Sequence, residues 1–509
     1  MVSLKDIEPR EYQKNIAETA SRKNTLVVLP TGMGKTLIAL LVAIERLQEF
    51  PDSKILVMAP TRPLNAQHKK SFEEFTDLTE DEIVLVTGKI KPEERSELYE
   101  KFKVIVATPQ TIQNDLENGK ISLDNFSLVV FDEAHRCIKD YAYTYVAKKY
   151  KERAKHPLIL GLTASPGGSF ERIGEIKKNL FIEAVEIRTE ADQDVEKYVK
   201  SVDRDWIYVE LPEEMKMVKG ILEEMLKDSV YWLREHHFIF TYRPSKKMLL
   251  YLQGKVAAKY TQGSKNYSLI WAMIRSAEAI KLEHALELLE TQDIFSLHDY
   301  LKKLEASNKR TDQRLFKDPR MKEVMKLIET IQKNEIEHPK FEKLKYIVKD
   351  LTREDPGVKI IVFANYRATV ERITDILRKE GISSEILIGQ ATKEGKGMTQ
   401  EKQIEILRRF RDGEFSVLVG TSISEEGLDV PAVDYAIFYE SVPSEIRAIQ
   451  RRGRVGRQTA GKVIFLLTRG TRDEAYYWAA FHKEKKMKGI LLDMRRRLKK
   501  RNNLKDWIE

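Results

Sequence analysis

Three short clusters in the 509-residue chain combine residue types that handle phosphate. The first is LVVLPTGMGKT (26–36), where an apolar run enters a glycine-containing turn and a helix-forming stretch, LIALLVAIERLQEF, follows. In the turn Thr31-Gly32-Met33-Gly34, the two glycines let successive backbone N–H groups curl around an anion. Lys35 adds a point charge for the β- and γ-phosphates, and Thr36 offers a hydroxyl to Mg2+. The general phosphate-loop pattern has a further glycine where this chain has Leu29, so the strand–turn–helix setting carries the assignment. The second cluster is LVVFDEAH (128–135), an apolar strand ending in two adjacent carboxylates. Asp132 at the strand end suits Mg2+, and Glu133 is placed to polarise an attacking water. An ordinary acidic loop is the bland alternative, and a phosphate loop upstream in the same sheet argues against it. The third is QRRGRVGR (450–457), where Arg454 and Arg457 lie three apart and share a helical face. Guanidinium forks match phosphate oxygens. If the two halves of the chain face each other, these arginines reach a γ-phosphate bound in the other half. Arg451 and Arg452 better suit contacts to a nucleic-acid backbone.

The elements that must position these clusters can be read from hydropathy. Buried-type strands recur at 25–30, 54–60, 82–88, 103–108, 128–133 and 158–165, separated by amphipathic stretches. Continuous apolar runs of this length mark strands covered on both faces, and their alternation with helices predicts a doubly wound parallel sheet. The rhythm returns at 358–365, 384–389, 416–421, 435–440 and 462–468. Between the two units, after WIYVELP (206–212), strand signals nearly vanish and long amphipathic helices take over. The fold class is therefore α/β: two parallel-sheet domains with an all-helical domain inserted between them. The expected boundaries are 1–189, 190–339 and 340–490, with 491–509 a basic linker or tail. Trp232, Tyr242 and Trp271 of the insert could stack on bases, but at helical spacing they are expected to be core.

Composition narrows the partners. Lys and Arg number 88 against 79 Asp and Glu, a net charge of +9 that suits contact with a polyanion without requiring it. Cys137 is the single cysteine, so no intrachain disulfide forms, no zinc cluster is spelled out, and a reducing, cytoplasmic setting is expected. The N-terminus lacks a basic-then-apolar signal layout, and no apolar run is long enough to span a bilayer.

Taken in order, REYQ (10–13), PTGMGKT (30–36), APTRPL (59–64), TPQT (108–111), DEAH (132–135), TAS (163–165), VFANYR (362–367), GTSISEEGLDVP (420–431) and QRRGRVGR (450–457) resemble the motif series of superfamily 2 helicases. Among these the chain is similar to the Hef/FANCM/Mph branch, archaeal Hef included, through its helical insert between two RecA-like domains. The resemblance implies an ATP- and Mg2+-dependent DNA helicase acting on forks and four-way junctions in repair, recombination and fork restart. It implies that Gln13, with Arg10, reads adenine. Lys35 and Thr36 would hold phosphates and Mg2+, and Asp132 and Glu133 would be metal partner and catalytic base. Thr163 and Ser165 would couple hydrolysis to domain movement. Gly427 and Asp429 would line the cleft from the second domain, completed by Gln450, Arg454 and Arg457, with His135 meeting Gln450. Arg62, Thr108, Gln110, Arg367 and Thr421 would contact one nucleic-acid strand. The chain lacks the nuclease signature that follows the helicase in Hef, so it is expected to be the helicase half, with a nuclease domain in a longer native chain a further expectation.

Two other readings compete. A double-stranded-RNA-dependent ATPase of the RIG-I/Dicer type also carries a helical insert, but the ribonuclease and zinc-bearing segments of those proteins have no counterpart here. A non-hydrolysing scaffold would have no use for Lys35, Asp132, Glu133, Arg454 and Arg457 together.

Overall fold

The computed structural model describes residues 2–189, 192–198, 203–262, 266–389, 397–421, 431–440 and 461–505. In the first lobe, seven short strands form one all-parallel sheet: β1 (Thr25–Val28), β2 (Lys54–Met58), β3 (Ile83–Val86), β4 (Val104–Ala107), β5 (Phe126–Asp132), β6 (Ile159–Thr163) and β7 (Ala184–Ile187). Their spatial order is β3-β4-β2-β5-β6-β1-β7. β1 pairs with β6 at Thr25↔Leu160 and with β7 at Thr25↔Ala184. The central strands are buried along their whole length, because aliphatic side chains on both faces meet helices.

Among the described residues the second lobe holds six parallel strands in the order β10-β11-β9-β12-β13-β8. They are β8 (Asp203–Val209), β9 (Ile360–Phe363), β10 (Ser384–Leu387), β11 (Val417–Gly420), β12 (Tyr435–Phe438) and β13 (Lys462–Thr468). Here the structure corrects the expected boundaries. β8, which includes the first part of WIYVELP, pairs with β13 along its full length and so belongs to the second sheet, not to the insert. Val195, also assigned to the insert, is buried in the core of the first lobe.

The insert comprises the helices Glu213–Glu235, Lys246–Thr261, Tyr267–Thr291, Ile294–Glu305, Arg310–Lys317 and Pro319–Lys333. Side chains of Ser245, Asn266, Asp293 and Asp318 cap four of them. Its apolar residues fall into two clusters. The root cluster includes Met215, Leu222, Leu286, Leu297 and Ile328. The distal cluster includes Leu233, Ile239, Leu249, Val256 and Ala272. The root is fastened to the second lobe through charge. Arg472 reaches Glu290 at 2.9 Å and Glu283 at 2.8 Å, and Lys219 donates to the Gly470 carbonyl at 2.6 Å. Gln292 accepts from Thr369. Beside this seam Lys340, wholly buried, pairs with Asp473 and donates to the Tyr439 carbonyl at 2.8 Å. A buried pair of this kind adds little net stability over an apolar substitute, but removing one partner strands a charge.

The final helix, Arg472–Lys505, leaves the second lobe and returns to the first, where Met487, Ile490 and Leu491 join its core. Residues 491–505, expected as a linker or tail, therefore continue a 34-residue helix. Among the described residues no helix is long and apolar enough to cross a membrane.

Candidate functional site

The phosphate loop leaves the C-terminal end of β1. Gly32 and Gly34 have φ of 82° and 73°, in the left-handed region where a side chain is strained. A Cβ on Gly34 would also come within 2.3 Å of the Gln13 amide nitrogen. The loop is held from the N-terminal helix: the Tyr12 hydroxyl donates to the Met33 carbonyl at 2.8 Å, and Gln13 Nε2 donates to the same oxygen at 3.2 Å. Gln13 Oε1 accepts from the Arg10 N–H at 2.8 Å, and the Arg10 guanidinium lies 4.6 Å from the Tyr198 ring centre. The structure thus turns Gln13 into the phosphate loop and buries it there. Lys35 Nζ curls back to donate to the Leu29 carbonyl at 3.1 Å. Thr31, Lys35 and Thr36 are half-buried, and Met33 is buried.

Asp132 ends β5, two strands away. The Tyr143 hydroxyl bonds its carbonyl at 2.6 Å and that of Met58 at 3.0 Å, fastening the ends of β5 and β2 together. The Asp132 carboxylate accepts from the Glu133 N–H at 2.9 Å on Oδ1 and meets His68 Nε2 at 2.9 Å on Oδ2. Burial alone would raise its pKa. The contact with His68, the charge of Lys35 and the Glu133 N–H outweigh that and hold it below the usual carboxylate range. Glu133 adopts φ 52° and ψ 47°, a left-handed conformation uncommon away from glycine and often found at functional turns.

From Glu133 a line of contacts runs across the lobe. Glu133 Oε2 lies 3.1 Å from His135 Nδ1, and that nitrogen lies 3.2 Å from Thr163 Oγ1. Thr163 Oγ1 accepts from the Ser165 N–H at 3.1 Å, and the Ser165 hydroxyl donates to Met487 Sδ of the final helix at 3.0 Å. The three residues expected to couple hydrolysis to movement, His135, Thr163 and Ser165, are therefore brought together, and all are buried.

The expected strand contacts all fall at the C-terminal edges of the two sheets, those at Arg62, Thr108 and Arg367 where helices begin. Arg62 opens the helix Arg62–Phe75 after β2, which Thr61 caps. Thr108 precedes Pro109–Glu117 after β4, its hydroxyl 2.8 Å from that of Thr111, and Gln110 is exposed beside it. Arg367 opens Arg367–Lys379 after β9 and bonds Glu371 at 2.7 Å. Thr421 follows β11 and is buried. Helix N-termini at such an edge present N–H groups suited to phosphates. Gly427, Asp429, Gln450, Arg454 and Arg457 lie outside the described residues.

The insert departs from expectation at its far end. Tyr242 is 57% exposed rather than core, with Arg234 stacked 3.7 Å from its ring centre. Trp232 and Trp271 are half-buried, 6.3 Å apart. Phe240 and Tyr251 are exposed as well, at 89% and 72%. From 229 to 262 the basic residues are Arg234, Arg243, Lys246, Lys247, Lys255 and Lys259, against Glu235 alone.

Sequence reasoning missed His68 and Tyr143. His68 touches Asp132 from 64 residues away and Tyr143 from the α-helix that follows, 11 residues on, and neither belongs to a local pattern that marks the contact.

Residues 10–173 match the family described as DEAD/DEAH box helicase, and 339–459 the helicase conserved C-terminal domain. Residues 214–336 match a family described as "Putative ATP-dependent RNA helicase, helical bundle". Over 98% of its length the chain is 44% identical to the Methanocaldococcus jannaschii protein described as "Putative ATP-dependent RNA helicase MJ1505", covering 63% of that protein. It is 33% identical to the Schizosaccharomyces pombe ATP-dependent DNA helicase fml1, over 91% of this chain and 57% of that one. The crystal structure of the Pyrococcus furiosus Hef helicase domain is 46% identical and superposes with a TM-score of 0.72, covering 92% of this chain and 98% of that one. The chain spans between 40% and 63% of the length of the curated relatives it matches.

Proposed function

Because this chain belongs to the superfamily 2 helicases of the Hef/FANCM/Mph type, we propose that it is an ATP-driven DNA motor that works on forked or four-way-branched DNA. One observation carries the reading: the phosphate loop and the Asp132–Glu133 pair share a sheet edge with Arg62 and Thr108, so nucleotide and strand are served by the same edge of one sheet.

The residues suit a Mg2+-bound nucleoside triphosphate. The glycine turn supplies N–H groups, Lys35 a cation, Thr36 a hydroxyl, and Asp132 a charged carboxylate with lone pairs to spare beyond its two hydrogen bonds. The metal's contribution is to neutralise charge that develops on the phosphates. Glu133 polarises the attacking water. From the second lobe, Arg454 and Arg457 stabilise the γ-phosphate, with Gln450, Gly427 and Asp429 completing the cleft. Arg10 and Gln13 form the adenine side once Gln13 exchanges a loop carbonyl for the base. Loss of the γ-phosphate removes what both lobes hold, and the lobes change relative position. Arg62, Thr108 and Gln110 grip the strand from one lobe, Arg367 and Thr421 from the other. These contacts go to phosphate and sugar, so sequence preference is slight. The basic, aromatic end of the insert meets the branch. The work is on chromosomal DNA, in the cytoplasm.

The test is ATP turnover against single-stranded DNA, duplex, a fork, a four-way junction and double-stranded RNA at one salt concentration. We expect the fork or junction to stimulate most. Greatest stimulation by double-stranded RNA would move the chain to the RNA-dependent class, to which the Methanocaldococcus protein's description points.

A further inference from the structure

We infer that His68 is a positioning residue for the metal-side carboxylate: it fixes the plane of Asp132. The inference rests on the ATPase reading above.

His68 lies in the helix Arg62–Phe75, six residues beyond Arg62, and is 3% exposed. Its Nε2 meets Asp132 Oδ2 at 2.9 Å, while Oδ1 of the same carboxylate accepts from the Glu133 N–H at 2.9 Å. Two partners on two different oxygens fix the rotation of a carboxylate about its last bond. One alone leaves it free to turn. The remaining lone pairs then point in set directions, which a hard cation with strict octahedral geometry requires.

The other ring nitrogen makes no competing contact: His68 Nδ1 is buried and has no hydrogen-bond partner among the described residues, so the ring is oriented by its bond to Asp132 and by its packing. The same bond joins the helix that carries Arg62, at the strand-contact edge, to the acid at the nucleotide.

The glutamine amide nitrogen occupies nearly the place of Nε2, whereas that of asparagine reaches only to the place of Nδ1. This gives a matched set: His68→Gln keeps the bond, and His68→Asn and His68→Ala lose it. Mn2+ serves as the probe, titrated by electron paramagnetic resonance in the presence of a non-hydrolysable ATP analogue. Nucleotide affinity is measured separately in EDTA with a fluorescent ADP. His68→Ala and His68→Asn should weaken Mn2+ binding by about 10-fold, with His68→Gln within about twofold of the parent and metal-free ADP affinity unchanged in all three. Equal Mn2+ affinity in all four proteins would overturn the inference. So would loss of ADP binding with and without metal, which would make His68 a packing residue. If the parent protein turns over ATP normally in either case, the ATPase reading survives. A parent that binds no nucleotide removes both.

Discussion

The nucleotide half-site of the first lobe and the far end of the insert are built on opposite terms. Around Asp132 and Glu133 nearly every polar group has an interior partner: Tyr143, His68, His135 and Thr163 are buried, and their contacts lie between 2.6 and 3.2 Å. At the end of the insert the aromatic rings of Phe240, Tyr242 and Tyr251 stand in solvent, with the Arg234 guanidinium over Tyr242. A site that stabilises one transition state gains from groups that need not reorganise. A surface that meets DNA of any sequence gains from rings with a π-face and long flexible cations, which adapt to whatever base is presented. Substitutions should therefore separate chemistry from substrate choice.

The largest expected effect falls on the dry side. Lys35→Ala and Glu133→Gln should each lower ATP turnover by at least about 100-fold, with fork affinity in a gel-shift assay changed no more than a few-fold. Loss of fork binding in parallel would erase the distinction between the two regions. Next comes the wet side. Replacing Phe240, Tyr242 and Tyr251 together by alanine should cut fork-stimulated turnover by about 10-fold, from a stacking contribution of about 1–3 kcal/mol per base. Stimulation by single-stranded DNA should stay near the parent value. Equal loss on both substrates would mean that the patch serves the strand track and not the branch.

The smallest effect tests the root that joins the two. His338 is buried beside Lys340, and burial first, then that ammonium, push its pKa down to about 3. In the unfolded chain it titrates near 6.5. The unfolded state thus binds more protons between these values. The stability is present above pH 6.5 and is lost as pH falls toward 3. Lowering the pH from 7.5 to 5.5 should cost about 1 kcal/mol from this residue, read as a shift in urea midpoint. His338→Asn should flatten that part of the slope; an unchanged slope would show that other groups carry it.

The parts legible in the sequence are those whose signal is local. The glycine turn after β1 and the acid pair after β5 each sit beside the strand that positions them, so a window of eleven residues contains both cause and effect. β8 was misplaced because its partner β13 lies about 260 residues away; a lone strand pattern next to helices carries no information about which sheet it will join. Tyr242 was expected inside because aromatic residues near helical spacing usually are, yet it lies between helices, where that periodicity does not apply. The final helix was missed for another reason. Met487, Ile490, Leu491 and Met494 follow the i, i+3, i+4, i+7 rule of a helix face, but the basic run around them reads as a solvated arm. His68 and Asp132 had no signature, since their contact depends on the packing of a helix against a strand 64 residues away.

The path of the chain has a mechanical corollary. It leaves the first lobe once Val195 is seated there, enters the second sheet at Asp203, and comes back along the final helix to Met487. The first lobe is thus touched twice by the chain that builds the second, and the later contact is made by a continuous helix, which rises about 1.5 Å per residue and cannot lengthen. That helix acts as a strut of fixed length between the second sheet and the first lobe, and Ser165 sits where the strut lands.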